Sequence, residues 1–394
     1  MIDLQQAKAI ELSDLLDRAM KSMDLTPAQY AAGMERYEAV VDWLTAANGP
    51  LVQFDPDVYL QGSWALGTVI RPWNDRDEFD IDMVIQLMLN SGQVSQAQLK
   101  KLIGDRLREN ANYARMLAPE RRRCWRIDYA EQTRFHLDVL SGIPDFGTRS
   151  LYAADTKYAT AAATAISITC KDAYGYFDRG IEWPHSNPRG FAMWFKAVMR
   201  QHLAIAFDGR YEDLVLSGLK TPLQRSVQVL KRHRDVMFQD DPEQLKPISI
   251  IITTLAGLSY QQESDLYSGV IGMLDRMLTH VHRRIDGTWL VQNPVDPREN
   301  FADRWKDDAR LAQSFFRWHQ KASADFKSLM GISGVHALGS AAGAFLGKAA
   351  VDGAIREQAG ESRDSVAAGM RRTTAGTLVL GGTNVVKPHT HFGA

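Results

Sequence analysis

The hydrophobic period of this chain changes along its length, and the changes mark its parts. Residues 1–50 carry the helical period. Thr26-Pro27 predicts a helix start, with threonine as cap and proline in the first turn. Tyr30, Met34, Tyr37, Val41 and Leu44 then recur every three or four residues and give one apolar face. Periodicity alone leaves open whether this helix braces two lobes or lies on the surface of one. From residue 51 the period shortens. Val58-Tyr59-Leu60 reads as a short strand that stops at Gln61-Gly62-Ser63. Phe79-Asp80-Ile81-Asp82-Met83-Val84-Ile85 is an apolar run broken only by two acids. Side chains two apart on a strand share a face, so Asp80 and Asp82 would project together, about 7 Å apart. Further on, Trp125, Ile127 and Tyr129 alternate with Arg126 and Asp128. Arg134 to Leu140 then carries a single acid, Asp138, and Glu131-Gln132-Thr133 between the two runs predicts a hairpin.

Leu99, Leu102, Ile103 and Leu107 point one way from a polar helix, and Ile166 to Cys170 reads as another strand. Ser186-Asn187-Pro188 signals a helix start. Beyond it the chain is mostly helical, including a basic helix from Pro222 to Phe238 and the apolar run Ile250-Ile251-Ile252 behind Ser249. After residue 331 alanine and glycine dominate. Their spacing invites a helix-dimer reading, which Lys348 and Asp352 argue against in a membrane. The end, Lys387 to Ala394, has no periodic apolar face and is expected to be disordered. The pattern predicts an α/β protein of two lobes with its site in the cleft between them. Bracing helices occupy 1–50, a mixed-sheet palm 51–185 and a helical lobe 186–330. An Ala/Gly-rich segment and tail fill 331–394.

Composition narrows the function classes. The 394 residues carry a formal net charge of −1, so no global basic field draws the protein to nucleic acid, and no DNA activator is expected. Two cysteines, Cys124 and Cys170, are too few for a disulfide framework or a zinc ribbon, and fit reduced thiols in a cytoplasmic protein. The start lacks a basic and then apolar leader, and no apolar run approaches the ~20 residues of a membrane span.

The acids carry the chemistry. Isolated carboxylates are costly to bury unless cations accompany them. Two divalent metals at about 3.5–4 Å would compensate three clustered acids and clamp the attacking and leaving oxygens of a displacement. Taken alone, the Asp80/Asp82 pair reads as two solvent-facing residues of an edge strand. With Gly62-Ser63 upstream and Asp138 on a later strand, it reads as a metal site. A rival pair, Asp75 and Asp77, sits in the polar turn-rich segment Pro72 to Glu78 and is set aside. Glycine at 62 would let backbone N–H groups approach phosphate oxygens, and the Ser63 hydroxyl could donate to one. Arg121-Arg122-Arg123 reads as a solvated strand entry, and His136 as a packing or hydrogen-bonding residue.

Gln61 to Pro72, Asp80-Ile81-Asp82 and Phe135-His136-Leu137-Asp138-Val139-Leu140 together resemble the bacterial CD-NTases. These are nucleotidyltransferases similar to cyclic GMP–AMP synthase and oligoadenylate synthase. Leu230 to Asp235, Pro247 to Gly257 and Asn293 to Phe301 also look like that family, and the likeness covers about the first four-fifths of the chain. The resemblance implies a polymerase-β-like palm and two Mg²⁺ ions, with Mn²⁺ as alternative, on Asp80, Asp82 and Asp138. It also implies ATP, or GTP, CTP or UTP, bound through Gln61, Gly62, Ser63, Lys231 and Ser249, with Arg225 and Arg232 left open as alternatives to Lys231. The implied product is a cyclic di- or trinucleotide second messenger in anti-phage (CBASS) signalling. A ubiquitin-ligase-like partner acting on Ala394 is a further implication. The rival readings are a template-free RNA or oligoadenylate polymerase, a nucleotide-binding regulator, and an AMPylating transferase.

Overall fold

The structure, a computed structural model, describes residues 4–72, 79–129, 135–155, 157–206, 220–367, 370–372 and 378–380. In chain order it begins with α1 (Leu4–Lys21), α2 (Pro27–Thr45), β1 (Asp57–Leu60), α3 (Gly62–Leu66), β2 (Phe79–Gln86), α4 (Gln96–Arg108) and α5 (Ala111–Met116). There follow β3 (Cys124–Asp128), β4 (Phe135–Pro144), α6 (Phe146–Leu151), α7 (Ala159–Ala162), β5 (Ile166–Ile168), β6 (His185–Ser186) and α8 (Pro188–Ala206). The second half contains α9 (Pro222–Met237), α10 (Ser249–Ser259), α11 (Leu266–Met277), β7 (His282–Arg283), β8 (Trp289–Leu290), β9 (Gln292–Asn293) and β10 (Asp296–Asn300). It closes with α12 (Ala309–Leu329), α13 (Val335–Leu346), α14 (Lys348–Ala367), β11 (Met370–Arg372) and β12 (Leu378–Leu380). The set-aside pair Asp75/Asp77 and the tail with Ala394 lie outside the described residues.

Strand alternation decides which face of the palm carries chemistry. The sheet runs β1-β2-β4-β5-β6, with β3 also paired to β4. β2 and β4 are parallel and the other pairs antiparallel, so the sheet is mixed. Ile81, Met83 and Ile85 of β2 join Leu137 and Val139 of β4 in the main palm core, where α2 contributes Val40 and Leu44, and α4 contributes Leu99, Ile103 and Leu107. The opposite face carries Val84 and Leu140, packed with Tyr59, Ile166 and Ile168. By the two-residue period, Asp80, Asp82 and Asp138 belong to this second face, at its uncovered end.

The helical lobe has a separate core. It gathers α1, α9, α10, α11, α12, α13 and α14 around Phe315, Trp318 and Phe326, all fully buried. The first two helices divide between the cores: α1 packs into the helical core through Leu12, Leu16 and Met20, while the apolar face of α2 packs on the palm. The Ala/Gly-rich stretch joins the helical core as well. Leu338, Ala342, Phe345, Leu346, Val351 and Ala354 all lie in the helical core. Gly339 faces Ile355 so closely that an added Cβ would stand 2.5 Å from its Cδ1. Small residues serve here to bring two helices of one chain together. Arg18 of α1 then holds α14 through Glu357 and Glu361. Among the described residues no helix is long and apolar enough to cross a membrane.

Candidate active site

β2 and β4 run in register, with Asp82 beside Asp138 and Asp80 beside His136. Across β4 on its other side, the antiparallel hairpin places Arg126 of β3 directly opposite Asp138. The Arg126 guanidinium donates from Nε to Asp138 Oδ1 at 2.7 Å and from Nη2 to Asp138 Oδ2 at 2.7 Å. The same Nη2 donates to Asp80 Oδ1 at 3.2 Å. Asp82 lies deeper than Asp80, and its burial, with Asp80 and Asp138 beside it, pushes its carboxyl up to about 7. The His136 Nδ1 stands 2.9 Å from Asp128, which accords with a hydrogen-bonding role.

The turn at Gly62 is shaped around these acids. Gly62 has φ 61°, in the left-handed region, and a Cβ there would stand 2.4 Å from Asp82 Oδ2. Glycine is therefore required twice at this position, for its backbone and for the space. Gln61 N–H donates to Asp82 O at 2.8 Å, so the turn extends the β1–β2 pairing. Trp64 of α3 donates its indole N–H to Asp80 O at 3.0 Å and stacks on Tyr30 of α2.

After α3, the segment 66–71 runs along α9, and the side chains of α9 and its approach hold its carbonyls. Gln224 donates to Leu66 O, Lys220 to Gly67 O, Lys231 to Thr68 O, Gln228 to Val69 O and Arg232 to Arg71 O. A basic helix face is ordinarily solvated. This one is buried, with Arg225, Gln228, Lys231, Arg232 and Arg234 all no more than 6% exposed. Gln228 also donates to Asp24 and accepts from Arg225. We predict that Gln228→Ala, which strips partners from all three, costs about 1–3 kcal/mol. A urea melt that leaves the midpoint unchanged would contradict this.

The helix also sorts the candidate cations. Arg225 pairs with Asp17 and Asp24, and Arg232 reaches Arg71 O, so neither lines the cleft. Lys231 does. The cleft, about 710 Å³, is lined by Gly62, Ser63, Asp80, Asp82 and Arg126 on one side and by Lys231, Arg234, Lys246 and Ser249 on the other. Arg234 Nη1 donates to Ser249 Oγ at 2.7 Å, and its Nε and Nη2 hold Asp235. Burial, then the adjacent Arg234, lowers the Lys231 ammonium to about 8. Ser249 opens α10, whose N-terminus carries no side-chain cap. A second cavity of about 320 Å³ meets the first at Gly62, Leu66, Asp82 and Ile250, and reaches Gln61, Asp138 and Glu299. Glu299, fixed by Ser186 and Asn293, is pushed up to about 7 by its burial.

Sequence reasoning missed Arg126, Arg234 and Lys246. Arg234 is one helical turn beyond Lys231, and Arg126 and Asp138 are equidistant from Gln132, so both had a signal. Among the described residues no three acidic, histidine or cysteine side chains stand grouped to hold a metal as they are. In kind the donors fit divalent metals, since Asp80 and Asp82 line one cleft and Asp138 stands beside Asp82 across the β2–β4 pair.

Residues 56–141 match the family model described as Cyclic GMP-AMP synthase DncV-like, nucleotidyltransferase domain. A c-di-GMP synthase of Roseivirga ehrenbergii is 27% identical over 331 residues, 82% of this chain and 81% of that protein. The cyclic dinucleotide synthase CdnG of Bradyrhizobium diazoefficiens is 24% identical over 322 residues, 76% of this chain and 71% of that one. The solved structure of the Bradyrhizobium CdnG in complex with GTP shares the fold, with TM-score 0.65 at 19% identity over 89% of this chain and 99% of that one. So does Escherichia coli CdnC with ATP, with TM-score 0.58 at 12% identity over 85% and 96%. Fold and matches define a nucleotidyltransferase with a polymerase-β-like palm and a helical lobe. Over most of its length the chain is similar to bacterial CD-NTases.

Proposed function

We propose that this enzyme joins nucleoside triphosphates into a cyclic dinucleotide, releasing pyrophosphate at each step. The observation that carries the reading is the cleft itself. Asp80 and Asp82 face it from the palm, and Lys231, Arg234, Lys246 and Ser249 face it from the helical lobe. The names of the relatives point first to guanine nucleotides, with ATP, CTP and UTP as further candidates.

Divalent metal ions held by Asp80, Asp82 and Asp138 would supply Lewis acidity toward the acceptor hydroxyl and the departing phosphates. The chain does the rest. Lys231, Arg234 and Lys246 would hold the β- and γ-phosphates, helped by the Ser63 and Ser249 hydroxyls and the uncapped N-terminus of α10. Gln61 and Gly62 would set the floor of the turn against the phosphates. Asp138 would take the proton of the acceptor hydroxyl as its oxygen bonds to the α-phosphorus and the bond to the β-phosphate oxygen breaks. A second transfer onto the first product would close the ring. By family likeness we place the product in anti-phage signalling. The residues that a conjugating partner would use, ending in Ala394, lie outside those described.

The deciding experiment incubates the protein with each triphosphate and Mg²⁺ or Mn²⁺, treats products with phosphatase and identifies them by mass spectrometry. A phosphatase-resistant cyclic species supports the proposal. Linear, phosphatase-sensitive ladders would replace it with the template-free polymerase. No product and no triphosphate binding would overturn both.

The cations add a pH prediction. A lysine at about 8 is charged below that pH and neutral above it. We expect kcat/KM, which reports the free enzyme, to fall as pH rises past about 8. In Lys231→Arg the fall moves upward by more than a unit, because guanidinium stays protonated. Profiles that overlap would refute Lys231 as a phosphate contact.

A further inference from the structure

We propose that Arg126 is a built-in counter-cation that masks Asp138 until a nucleotide arrives with its divalent metal and displaces it. The inference rests on the metal-site reading above and goes beyond it, since it concerns what Arg126 does to Asp138. Its basis is geometric. Both carboxylate oxygens of Asp138 accept from one guanidinium, at 2.7 Å each, and the third contact of that group goes to Asp80. The Arg126 and Asp138 side chains are only 14% and 15% exposed, so water screens this bidentate pair weakly. A metal ion on Asp138 binds at about 2.0–2.6 Å and competes with Arg126 for the carboxylate oxygens. Each oxygen keeps a second lone pair, but the guanidinium charge held against them opposes a second cation.

The consequence is an order of events. Asp82 makes no bond to Arg126, so the Asp80/Asp82 side of the cluster is where a cation first gains. Asp138 becomes the better ligand and the better proton acceptor once Arg126 has swung off it, because the guanidinium charge no longer offsets its own. Arg126 lines the cleft, so the released guanidinium remains beside the bound triphosphate rather than entering the core. The resting enzyme then keeps the proton acceptor covered in the absence of substrate.

The test is Mn²⁺ binding without nucleotide, followed by the paramagnetic resonance of free Mn²⁺. Wild type is compared with Arg126→Gln, Arg126→Lys, Lys246→Gln and Asp82→Asn. Removing the mask should tighten Mn²⁺ about tenfold in Arg126→Gln, while Arg126→Lys stays near wild type. Lys246→Gln removes a charge from the same cleft without touching the acids, and should shift affinity less than about twofold. Equal gains in Arg126→Gln and Lys246→Gln, or no gain in either, would reduce Arg126 to an ordinary structural pair. Saturable Mn²⁺ binding in wild type that Asp82→Asn abolishes upholds the metal site even if the mask fails. No Mn²⁺ binding in any folded variant overturns both.

A second readout needs no destabilising substitution. In wild type labelled with ¹⁵N-arginine, the Nε–H resonance missing from Arg126→Lys should exchange slowly with water. It should shift and exchange faster when Mg²⁺ and a non-hydrolysable GTP analogue are added together. An unmoved resonance at saturation would overturn the proposal.

Discussion

Asp82→Asn should reduce cyclic product formation at least about a thousandfold while leaving the protein as stable as wild type, or more so. Loss of a metal-binding oxygen explains the first effect. The second follows from the position of Asp82. Its carboxyl is raised to about 7, against 3.8 for an ordinary aspartate, by burial and by Asp80 and Asp138. Between about pH 4 and 7 the native protein therefore binds a proton that the unfolded chain has released. Stability must fall as pH rises through that window, and the deficit stays in place above it. An amide carries no such penalty. Melting temperatures of the metal-free proteins between pH 5 and 8 are the check. The decline with pH should be shallower in Asp82→Asn, and a steeper one would show that Asp82 is not under electrostatic pressure.

Gly62→Ala should cost about a hundredfold in activity for a different reason. Alanine at φ 61° pays about 1–2 kcal/mol for the left-handed backbone. Its methyl would also stand 2.4 Å from Asp82 Oδ2, so the carboxylate or the turn has to move. Gly180 provides the control. It has φ 74°, but a Cβ there meets nothing within 4 Å. Gly180→Ala should show the backbone cost in its melting temperature and keep full activity. If both variants lose activity alike, displacement of Asp82 is not the cause.

Much of this site was legible because strand chemistry is local. An apolar run broken at alternate positions leaves few choices, and Asp80 and Asp82 fall on one face for that reason, with Asp138 joining them through the β2–β4 register. The capping box at Thr26 was equally plain, and Thr221 and Ser95 head helices with the same device. What escaped was long-range. The burial of Lys231 and Arg232 escaped because nothing nearby in sequence reveals that backbone carbonyls from residues 66–71 lie over them. The Ala/Gly texture after residue 331 lacked the contrast that marks a helical face, because small residues stand on both its buried and its exposed positions. Arg126 was hidden by a habit of reading alternation as inside against outside. Its target was directly across the hairpin.

The row of bonds between α9 and the segment 66–71 also bears on how this enzyme can be taken apart. The matched domain at residues 56–141 contains the carbonyls but none of their donors. Expressed alone, it would leave a polar seam stripped of its partners. A chimaera joining this palm to a relative's helical lobe would face the same defect, unless Gln224, Gln228, Lys231 and Arg232 travelled with it. The natural cut for recombining such enzymes therefore does not follow the linear border between palm and lobe. It encloses the segment and its helix together, as one inherited unit.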